Sequence, residues 1–397
     1  MTDFAATRKA FDLPEGVIYL DGNSLGPLPT AAKTKVAARM QDEWGEMLIT
    51  AWNRAGWMEE PRLIGDRVGK LVGAPKGSIV MGDTLSIKVH QALASALELR
   101  EGRRVILSDT GNFPSDLYMA QGIARTLDKG HELKTVAPED VLANIDETVA
   151  VVMITEVDYR TGRKHDMAAI IERAHDAGAL VIWDLAHSAG AIEVDLGGTG
   201  VDFAVGCTYK FINGGPGAPA FIYVRPDLAD QCRPALSGWL GHEAPFAFDL
   251  DYRAGDGIDR MRCGTPPVLA LAALGAALDV WDQVDMADLR ARSIELSERF
   301  IKGVEAACPA LTLVSPRDPQ ARGSQVSFAF PDGYAAMQAV IDRGVIGDFR
   351  APDIMRFGIT PLYLNEDDID KAVEIIADVM NNELWKDAKY QTRAAVT

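Results

Sequence analysis

Residues 180–217 read LVIWDLAHSAGAIEVDLGGTGVDFAVGCTYKFINGGPG and contain two short apolar runs, LVIW and FAVG, each followed by polar or glycine-rich sequence. Apolar runs of this length with β-branched residues are typical of strands that are buried on both faces. The runs SIVMG, VILS and VAVVMITEV come earlier, and segments with helical patterning begin between them at Thr84, near Pro114 and at Asp166. This alternation predicts an α/β fold with a mainly parallel, helix-covered sheet in a large domain.

The sequence after about Arg225 has a different character. A connector rich in glycine, proline and aromatic residues, 234–267, precedes a long helical pattern at 268–307 that breaks near 283–286. The pattern then runs strand, strand, helix, strand, strand, helix, in LTLVS, QVSFAF, 333–343, VIGDF, IMRFGIT and 367–381. This order predicts a small α+β domain, and we expect the chain after Lys386 to be frayed.

Composition excludes several classes of function. The 397 residues include 40 basic and 57 acidic side chains, a formal net charge of −17, with no run of lysine or arginine, so we expect no nucleic-acid partner. The opening residues lack the apolar core of a signal peptide, and the longest apolar run, 266–281, is shorter than a membrane span. We therefore expect a cytoplasmic protein with no membrane partner. The cysteines form no CxxC pair and have no histidine at metal-ligand spacing, so we expect no disulfide and no metal site. They are Cys207, Cys232, Cys263 and Cys308.

Ligands of parallel sheets bind at the carboxyl ends of the strands, so the residues that follow the apolar runs are candidates for chemistry. Lys210 follows FAVG and precedes Gly214 and Gly215. A desolvated amine there can form a Schiff base, although a solvated lysine in a glycine turn gives the same pattern. Asp184 ends LVIW, where a carboxylate can bind the protonated ring nitrogen of pyridoxal 5′-phosphate (PLP) or simply cap the next helix. Together the two residues predict a PLP site.

Two further segments fit the same ligand. Thr84, Leu85 and Ser86 stand at an expected helix N-terminus, where free N–H groups favour a phosphate, or where the hydroxyls only cap the helix. Phe113 follows a strand, and its ring would either stack on a planar cofactor or belong to the core. Asp116 stands where the next helix begins and equally fits an ordinary N-terminal helix position.

Seven motifs carry a resemblance to a known family. They are YLDGNSLGPLP, NFPSDLY, TEVDYRTG, WDLAHSAGA, CTYKFINGGPG, LSGWLGH and RFGITPLY, in order from Tyr19 to Tyr363. Together they resemble the kynureninases, fold type I PLP enzymes related to aminotransferases and cysteine desulfurases. The resemblance covers almost the whole chain. It implies the PLP-dependent transferase type I fold and the hydrolysis of L-kynurenine to anthranilate and L-alanine in tryptophan catabolism.

The resemblance also implies roles for individual residues. Lys210 would form the Schiff base with PLP and later move protons, Asp184 would pair with the pyridinium nitrogen, and Arg356 would bind the substrate α-carboxylate as a bidentate fork. Tyr209 would bind the cofactor phosphate together with Leu85 and Ser86. Its position beside Lys210 also makes it a candidate proton shuttle in the reaction. The other cofactor-binding residues implied are Leu85, Ser86, Phe113, Asp116, Thr155, His187, Trp239 and Thr265. Trp239 and Thr265 would reach in from a neighbouring subunit, which implies a homodimer with shared active sites.

The pattern along the chain predicts the domain organisation, and the resemblance implies the substrate preference. Residues 1–70 would be an N-terminal segment that joins the small domain and the dimer interface, 71–285 the large PLP-binding domain, and 286–397 the small C-terminal domain. Trp52 and Thr265 resemble the bacterial form of the family, which favours L-kynurenine. The animal form has His and Asn there and favours the 3-hydroxylated substrate, because a polar pair can satisfy the extra hydroxyl.

Two other functions remain open on the sequence alone. The arrangement from Asp184 to Lys210 is shared with cysteine desulfurases and aminotransferases, but a desulfurase needs a mobile nucleophilic cysteine, and neither Cys263 nor Cys308 lies in a recognisable loop for it. A PLP-fold protein that has lost its activity would be a binding module. The presence of Lys210, Asp184 and Arg356 argues against a binding module, because buried charges are costly without a ligand. His242 has no assigned role, and we expect it to be structural.

Overall fold

The computed structural model describes residues 1–393. The helices are α1 Phe4–Lys9, α2 Thr30–Ala38, α3 Ala51–Arg54, α4 Glu60–Leu71, α5 Leu85–Glu98, α6 Pro114–Leu127, α7 Met167–Asp176, α8 Leu196–Thr199, α9 Pro226–Ala229, α10 Val268–Trp281, α11 Met286–Ala307, α12 Gly333–Ile341 and α13 Glu366–Asn381. The strands are β1 Ile18–Tyr19, β2 Ile79–Met81, β3 Val105–Asp109, β4 Glu132–Val136, β5 Val149–Thr155, β6 Leu180–Asp184, β7 Phe203–Gly206, β8 Phe221–Val224, β9 Thr312–Leu313, β10 Gln325–Ala329, β11 Val345–Ile346, β12 Asp348–Arg350 and β13 Ile354–Gly358. A π-helical stretch, Arg39–Met47, continues α2.

The large sheet has seven strands in the order β2-β8-β7-β6-β5-β3-β4. β8 runs antiparallel to β2 and β7, and the other neighbouring strands pair in parallel. Alternate residues of β6 enter two different cores: Val181 and Trp183 pack in one with residues of α4, α7 and α10, and Leu180 and Ile182 in the other with residues of α5 and α6. Helices therefore cover both faces, as expected for a parallel sheet, and the predicted architecture is confirmed.

The second sheet is formed by the last part of the chain. Its four strands are antiparallel in the order β12-β13-β10-β9, and α11, α12 and α13 belong to the same region. The predicted order of strands and helices agrees with the structure, including the break between α10 and α11, except that VIGDF forms two short strands, β11 and β12, in different sheets. The prediction of a frayed tail is wrong as far as Tyr390, because that ring is buried and its hydroxyl donates to Asp342 Oδ2 at 2.7 Å. Residues 394–397 of that tail lie outside the described residues.

The N-terminal loop after β1 crosses to both halves of the molecule. β1 pairs in parallel with β11, and Gly358 N–H at the end of β13 donates to Leu20 O at 2.7 Å. Farther along the loop, Gly26 N–H donates to Tyr209 O at 2.8 Å. A Cβ atom at Gly26 would lie 2.5 Å from Lys210 O, so only glycine allows this approach. The loop is thus fixed between the strand that carries Arg356 and the loop that carries Lys210.

Candidate active site

The carboxyl ends of β5 and β6 and the loop after β7 border a cavity of about 490 Å³. Parallel strands end at one edge of the sheet, which brings residues from distant parts of the chain together there. The N-terminal loop and the second sheet close the other side. The lining residues are Asn23, Ser24, Thr84, Leu85, Ser86, Phe113, Ser115, Thr155, Tyr159, Asp184, Ala186, His187, Tyr209, Lys210, Arg350 and Arg356.

Lys210 is held in the cavity by His187. Its Nζ lies 2.9 Å from His187 Nε2 and 5.9 Å from the centre of the Phe113 ring. Burial, followed by the positive charges of Lys210 and Arg356, lowers the pKa of His187 well below its usual value. The neutral imidazole therefore accepts a hydrogen bond from Nζ through Nε2. This geometry contradicts the alternative of a fully solvated lysine in a glycine turn.

Asp184 lies on the floor of the cavity with its carboxyl group buried. Oδ1 accepts a hydrogen bond from Ala186 N–H at 2.9 Å. Burial raises the pKa of Asp184 to about 6, and Lys210 opposes that shift. Asp116 is equally buried, its Oδ2 has no hydrogen-bond partner, and its pKa is raised well above the usual value by burial and by Asp184. Two buried carboxyl groups near one amine are costly unless a further cation or donor joins them.

The opposite end of the cavity is the first turn of α5. Thr84 precedes the helix, and neither its side chain nor another caps the first N–H groups. The capping alternative for Thr84 is therefore wrong, and the uncapped amides of Leu85 and Ser86 border the cavity. Unpaired N–H groups together with the helix dipole form an anion site.

These features fit PLP. The first turn of α5 suits the phosphate, and the Phe113 side chain, 41% exposed and in the cavity lining, offers a ring face for stacking instead of belonging to the core. The Asp184 carboxylate suits a protonated ring nitrogen. Asp116 Oδ2 and His187 Nδ1 have no hydrogen-bond partner, and of these two residues His187 lines the cavity.

Arg356 enters the cavity from β13 with its guanidinium group almost fully bound. Nε donates to Asp348 Oδ1 at 2.6 Å and Nη2 also bonds to Asp348. Nη2 further donates to Ser24 Oγ at 2.8 Å, and Nη1 donates to Tyr159 O at 2.5 Å. Because Asp348 occupies one edge of the fork, a substrate carboxylate would have to use the free Nη1 hydrogen and the Nη2 hydrogen that now points to Ser24.

Four expected site residues lie outside this lining: Trp52, Asp116, Trp239 and Thr265. Thr265 is exposed and Trp239 is 39% exposed. The rings of Trp52 and Trp239 meet edge to face with centroids 6.1 Å apart. His242 Nδ1 accepts a hydrogen bond from Ala244 N–H at 2.9 Å, and its ring packs against Tyr252.

Several lining residues were not predicted from the sequence. Asn23, Ser24 and Tyr159 belong to quoted motifs, GNSLG and TEVDY, and that membership was the signal that could have identified them. Arg350 carries no such signal. The lining contains no cysteine, and all four cysteines are free. Within residues 1–393 no cluster of His, Cys, Asp and Glu could hold a metal, and no helix there is long and apolar enough to cross a membrane.

Glu156, just beyond β5, gives a testable pH dependence. It is buried, its Oε2 has no hydrogen-bond partner, and burial raises its pKa to about 7. A carboxyl whose folded-state pKa is raised stabilises the fold below its unfolded pKa, and this contribution is lost as the pH rises toward 7. The unfolding free energy of the wild-type protein should fall between pH 4.5 and pH 8. In Glu156→Gln we expect this fall to be smaller by about 2 to 3 kcal/mol. Urea unfolding at the two pH values measures the difference.

The control for this prediction is Glu147→Gln, which changes an exposed carboxyl just before β5, at the other end of that strand. That variant should retain the wild-type dependence of unfolding free energy on pH. Parallel curves for Glu156→Gln and wild type would contradict the assignment of this dependence to Glu156.

Sequence comparisons with known proteins agree on one family. Residues 289–376 match the family model of the kynureninase C-terminal domain. The kynureninase of Pseudomonas fluorescens is 49% identical over 400 aligned residues, which cover 99% of this chain and 96% of that protein. The kynureninase of Burkholderia pseudomallei strain 1106a is 48% identical with the same coverage.

Solved structures share the fold at lower identity. A cysteine desulfurase from Thermococcus onnurineus NA1 has a TM-score of 0.80 at 20% identity, covering 95% of this chain and 98% of that one. The cysteine desulfurase CsdA from Escherichia coli has a TM-score of 0.81 at 18% identity, covering 96% and 99%. A C-DES variant with glycine covalently linked to its PLP cofactor also gives 0.81 at 18% identity, covering 94% and 99%. The expected PLP-dependent type I fold is therefore confirmed.

Proposed function

Because this chain belongs to the kynureninase family, we propose that it hydrolyses L-kynurenine to anthranilate and L-alanine, with PLP as its cofactor, in the cavity around Lys210. The observation that carries the site assignment is the common location of Lys210, Asp184 and Arg356. These three residues provide an amine, a buried carboxylate and a carboxylate-binding cation around one cavity. We assign the reaction to tryptophan catabolism, since L-kynurenine is a breakdown product of that amino acid.

The reaction needs a group that moves the substrate α-proton. PLP, when bound, supplies an electron sink that takes up the electrons of the Cα–H bond. Lys210 Nζ would take the proton, because it borders the cavity and its contact with neutral His187 fixes its direction. Asp184 would keep the cofactor ring nitrogen protonated, since a buried carboxylate is strongly stabilised by a cation.

The second half of the reaction breaks a carbon–carbon bond of the substrate. Water adds to the γ-carbonyl, the Cβ–Cγ bond then breaks, and anthranilate and L-alanine are released. Tyr209 would donate a proton during these steps. Burial raises the pKa of its hydroxyl above the usual value, so the phenol retains its proton at neutral pH, and its ring centre lies 5.8 Å from Lys210 Nζ.

Arg356 would bind the substrate α-carboxylate. We expect Arg356→Lys to raise KM for L-kynurenine about 30- to 100-fold while kcat changes much less, because lysine keeps the charge but loses the fork of donors. Steady-state kinetics that follow anthranilate fluorescence measure this split. Arg299→Lys, at a half-exposed arginine of α11, is the control and should leave KM unchanged. A fall in kcat with an unchanged KM would remove Arg356 from the carboxylate site.

We propose a homodimer on the basis of one apolar surface. Trp239, Phe246, Phe248 and Leu250 lie on a short segment after β8 and are 39%, 62%, 77% and 101% exposed. The rings of Trp239 and Phe246 contact edge to face at 5.8 Å, and Phe246 and Phe248 at 6.3 Å. Contiguous exposed apolar side chains of this kind are typical of protein interfaces. A second subunit would cover this surface and place its Trp239 and Thr265 at the active site.

The same placement suggests a substrate preference. Trp52 contacts both Trp57 and Trp239, each with ring centroids 6.1 Å apart. Trp52 and Thr265 stand where the form that favours 3-hydroxykynurenine has His and Asn, and the loss of that pair of partners for the ring hydroxyl favours L-kynurenine. The ratio of kcat/KM for the two substrates measures this preference.

The function is tested by a visible spectrum of the purified protein, followed by addition of L-kynurenine. We expect a yellow protein that releases anthranilate and alanine in equal amounts. L-Cysteine is the control substrate, and alanine formed from it without any anthranilate from L-kynurenine would instead support a desulfurase. The family membership and the absence of cysteine from the described cavity lining make that outcome the less favoured one.

A further inference from the structure

Lys88 is a fully buried lysine near the start of α5 that no step above uses. Its Nζ lies 2.9 Å from Gln91 Oε1, 3.1 Å from Asp83 Oδ2 and 3.1 Å from Met261 O. Three acceptors match the three hydrogens of an ammonium group. Burial lowers the pKa of Lys88, and the Asp83 carboxylate opposes this shift. An ammonium group in such a place is costly to bury and needs these partners.

One partner of Lys88 belongs to the loop that leads into the first turn of α5. Gly82 has φ +153° and Asp83 has φ +57°, conformations that are rare for L-residues. Asp83 O accepts a hydrogen bond from Ala220 N–H at 3.1 Å, and its carboxylate receives Lys88. Because this loop leads directly into Leu85 and Ser86, which line the cavity, Lys88 holds the approach to the phosphate end of the site.

A second partner of Lys88, the carbonyl oxygen of Met261, belongs to the segment that leads to Thr265. Met261 O binds both Lys88 and Gln91 Nε2, and the same amide lies 3.3 Å from Cys263 Sγ. Cys263 O accepts a hydrogen bond from Leu240 N–H at 3.2 Å, next to Trp239. A Cβ atom at Gly238 would lie 2.3 Å from Cys263 Cα, so the two segments are in close contact. The segments that carry Trp239 and Thr265 are therefore connected to Lys88.

We propose that Lys88 is a positioning residue that couples the phosphate end of one active site to the segments that present Trp239 and Thr265 to the partner subunit. This inference rests on the proposed cofactor site and homodimer. Coupling of this kind is reciprocal, so binding of PLP tightens the dimer and formation of the dimer tightens the binding of PLP.

The test uses Lys88→Met, which keeps the length and apolar stem of the side chain but removes its charge and donors. Dissociation constants for PLP and for pyridoxal, which lacks the phosphate, are measured by absorbance with the apoprotein of each form. We expect the variant to bind PLP about tenfold more weakly and pyridoxal within twofold of wild type. Sedimentation velocity then gives the dimer dissociation constant with and without PLP. Wild type should dimerise more tightly with PLP, and Lys88→Met should lose most of this response.

Equal weakening of PLP and pyridoxal, or an unchanged response of the dimer to PLP, would overturn the proposal. If Lys88→Met does not fold, Asp83→Asn replaces it, because Asp83 is partly exposed and its amide can be hydrated. That variant should also bind PLP more weakly while its affinity for pyridoxal stays close to that of wild type. An equal loss of affinity for both ligands would again contradict the proposed coupling. Turnover of L-kynurenine by wild type, measured on the same preparation, tests the proposed function separately, since the binding measurements do not depend on it.

Discussion

Lys210→Ala is expected to lower kcat for L-kynurenine by about 10³- to 10⁴-fold. The variant lacks the amine that holds PLP covalently and moves the α-proton, and neutral His187 would lose the donor 2.9 Å from its Nε2. The change is made in a half-buried side chain within the loop between β7 and β8, so the fold should be retained. Anthranilate fluorescence measures the rate.

Borohydride treatment gives a second, independent readout for Lys210. Reduction should fix the chromophore to wild-type protein through denaturation and gel filtration, whereas Lys210→Ala should lose it. The matched control is Lys302→Ala, at an exposed position of α11, which should retain both rate and label. If the alanine variant at position 210 were still labelled at wild-type yield, another lysine would hold the cofactor and the site assignment would be wrong.

Asp184→Asn is expected to lower kcat by about 10²- to 10³-fold, corresponding to about 3 to 4 kcal/mol of barrier. Asparagine has nearly the same volume and can still accept from Ala186 N–H, but it has no charge to keep the cofactor ring nitrogen protonated. The absorbance spectrum of the bound cofactor should change together with the rate, because both depend on the protonation of that nitrogen.

The stability of this variant separates a chemical effect from damage to the fold. Burial raises the pKa of Asp184 to about 6 in the protein alone, so its ionised carboxylate destabilises the apoprotein above that pH. Asp184→Asn removes this cost, and the apoprotein should unfold at the same or a higher urea concentration than wild type at pH 8. A variant with half of wild-type kcat would contradict the role of Asp184, and a variant with a much lower urea midpoint would indicate structural damage.

The fold could be predicted from local sequence because its central strands are buried on both faces. Runs such as those of β5 and β6 have no polar alternation, and this property is visible in the amino-acid sequence itself. The reversed direction of β8 could not be predicted in the same way. β8 has the same apolar character as the parallel strands of the sheet, and its direction depends on the connection from β7, residues 207–220.

The site was predictable only where its residues follow strands. Lys210 and Asp184 are at such positions, and the sheet places them at one edge. Arg356 was expected to present a free fork, but Asp348 binds one edge of it through the antiparallel pairing of β12 with β13. Contacts such as that of Ser24 with Arg356, separated by 332 residues, depend on tertiary packing, which no local pattern contains.

The N-terminal loop between β1 and Gly26 has a consequence for how the protein is made. Residues of this loop are synthesised before the strands of both large sheets, yet β1 pairs with β11, and Ser24 contacts Arg356 far along the chain. A nascent chain that has not reached β13 lacks one wall of the cavity, even if the large sheet has already formed. Contacts between distant parts of a sequence form late because loop closure costs entropy. Completion of the cofactor pocket therefore follows the synthesis of β13, and ribosome-bound chains that end before Ile354 should not retain PLP.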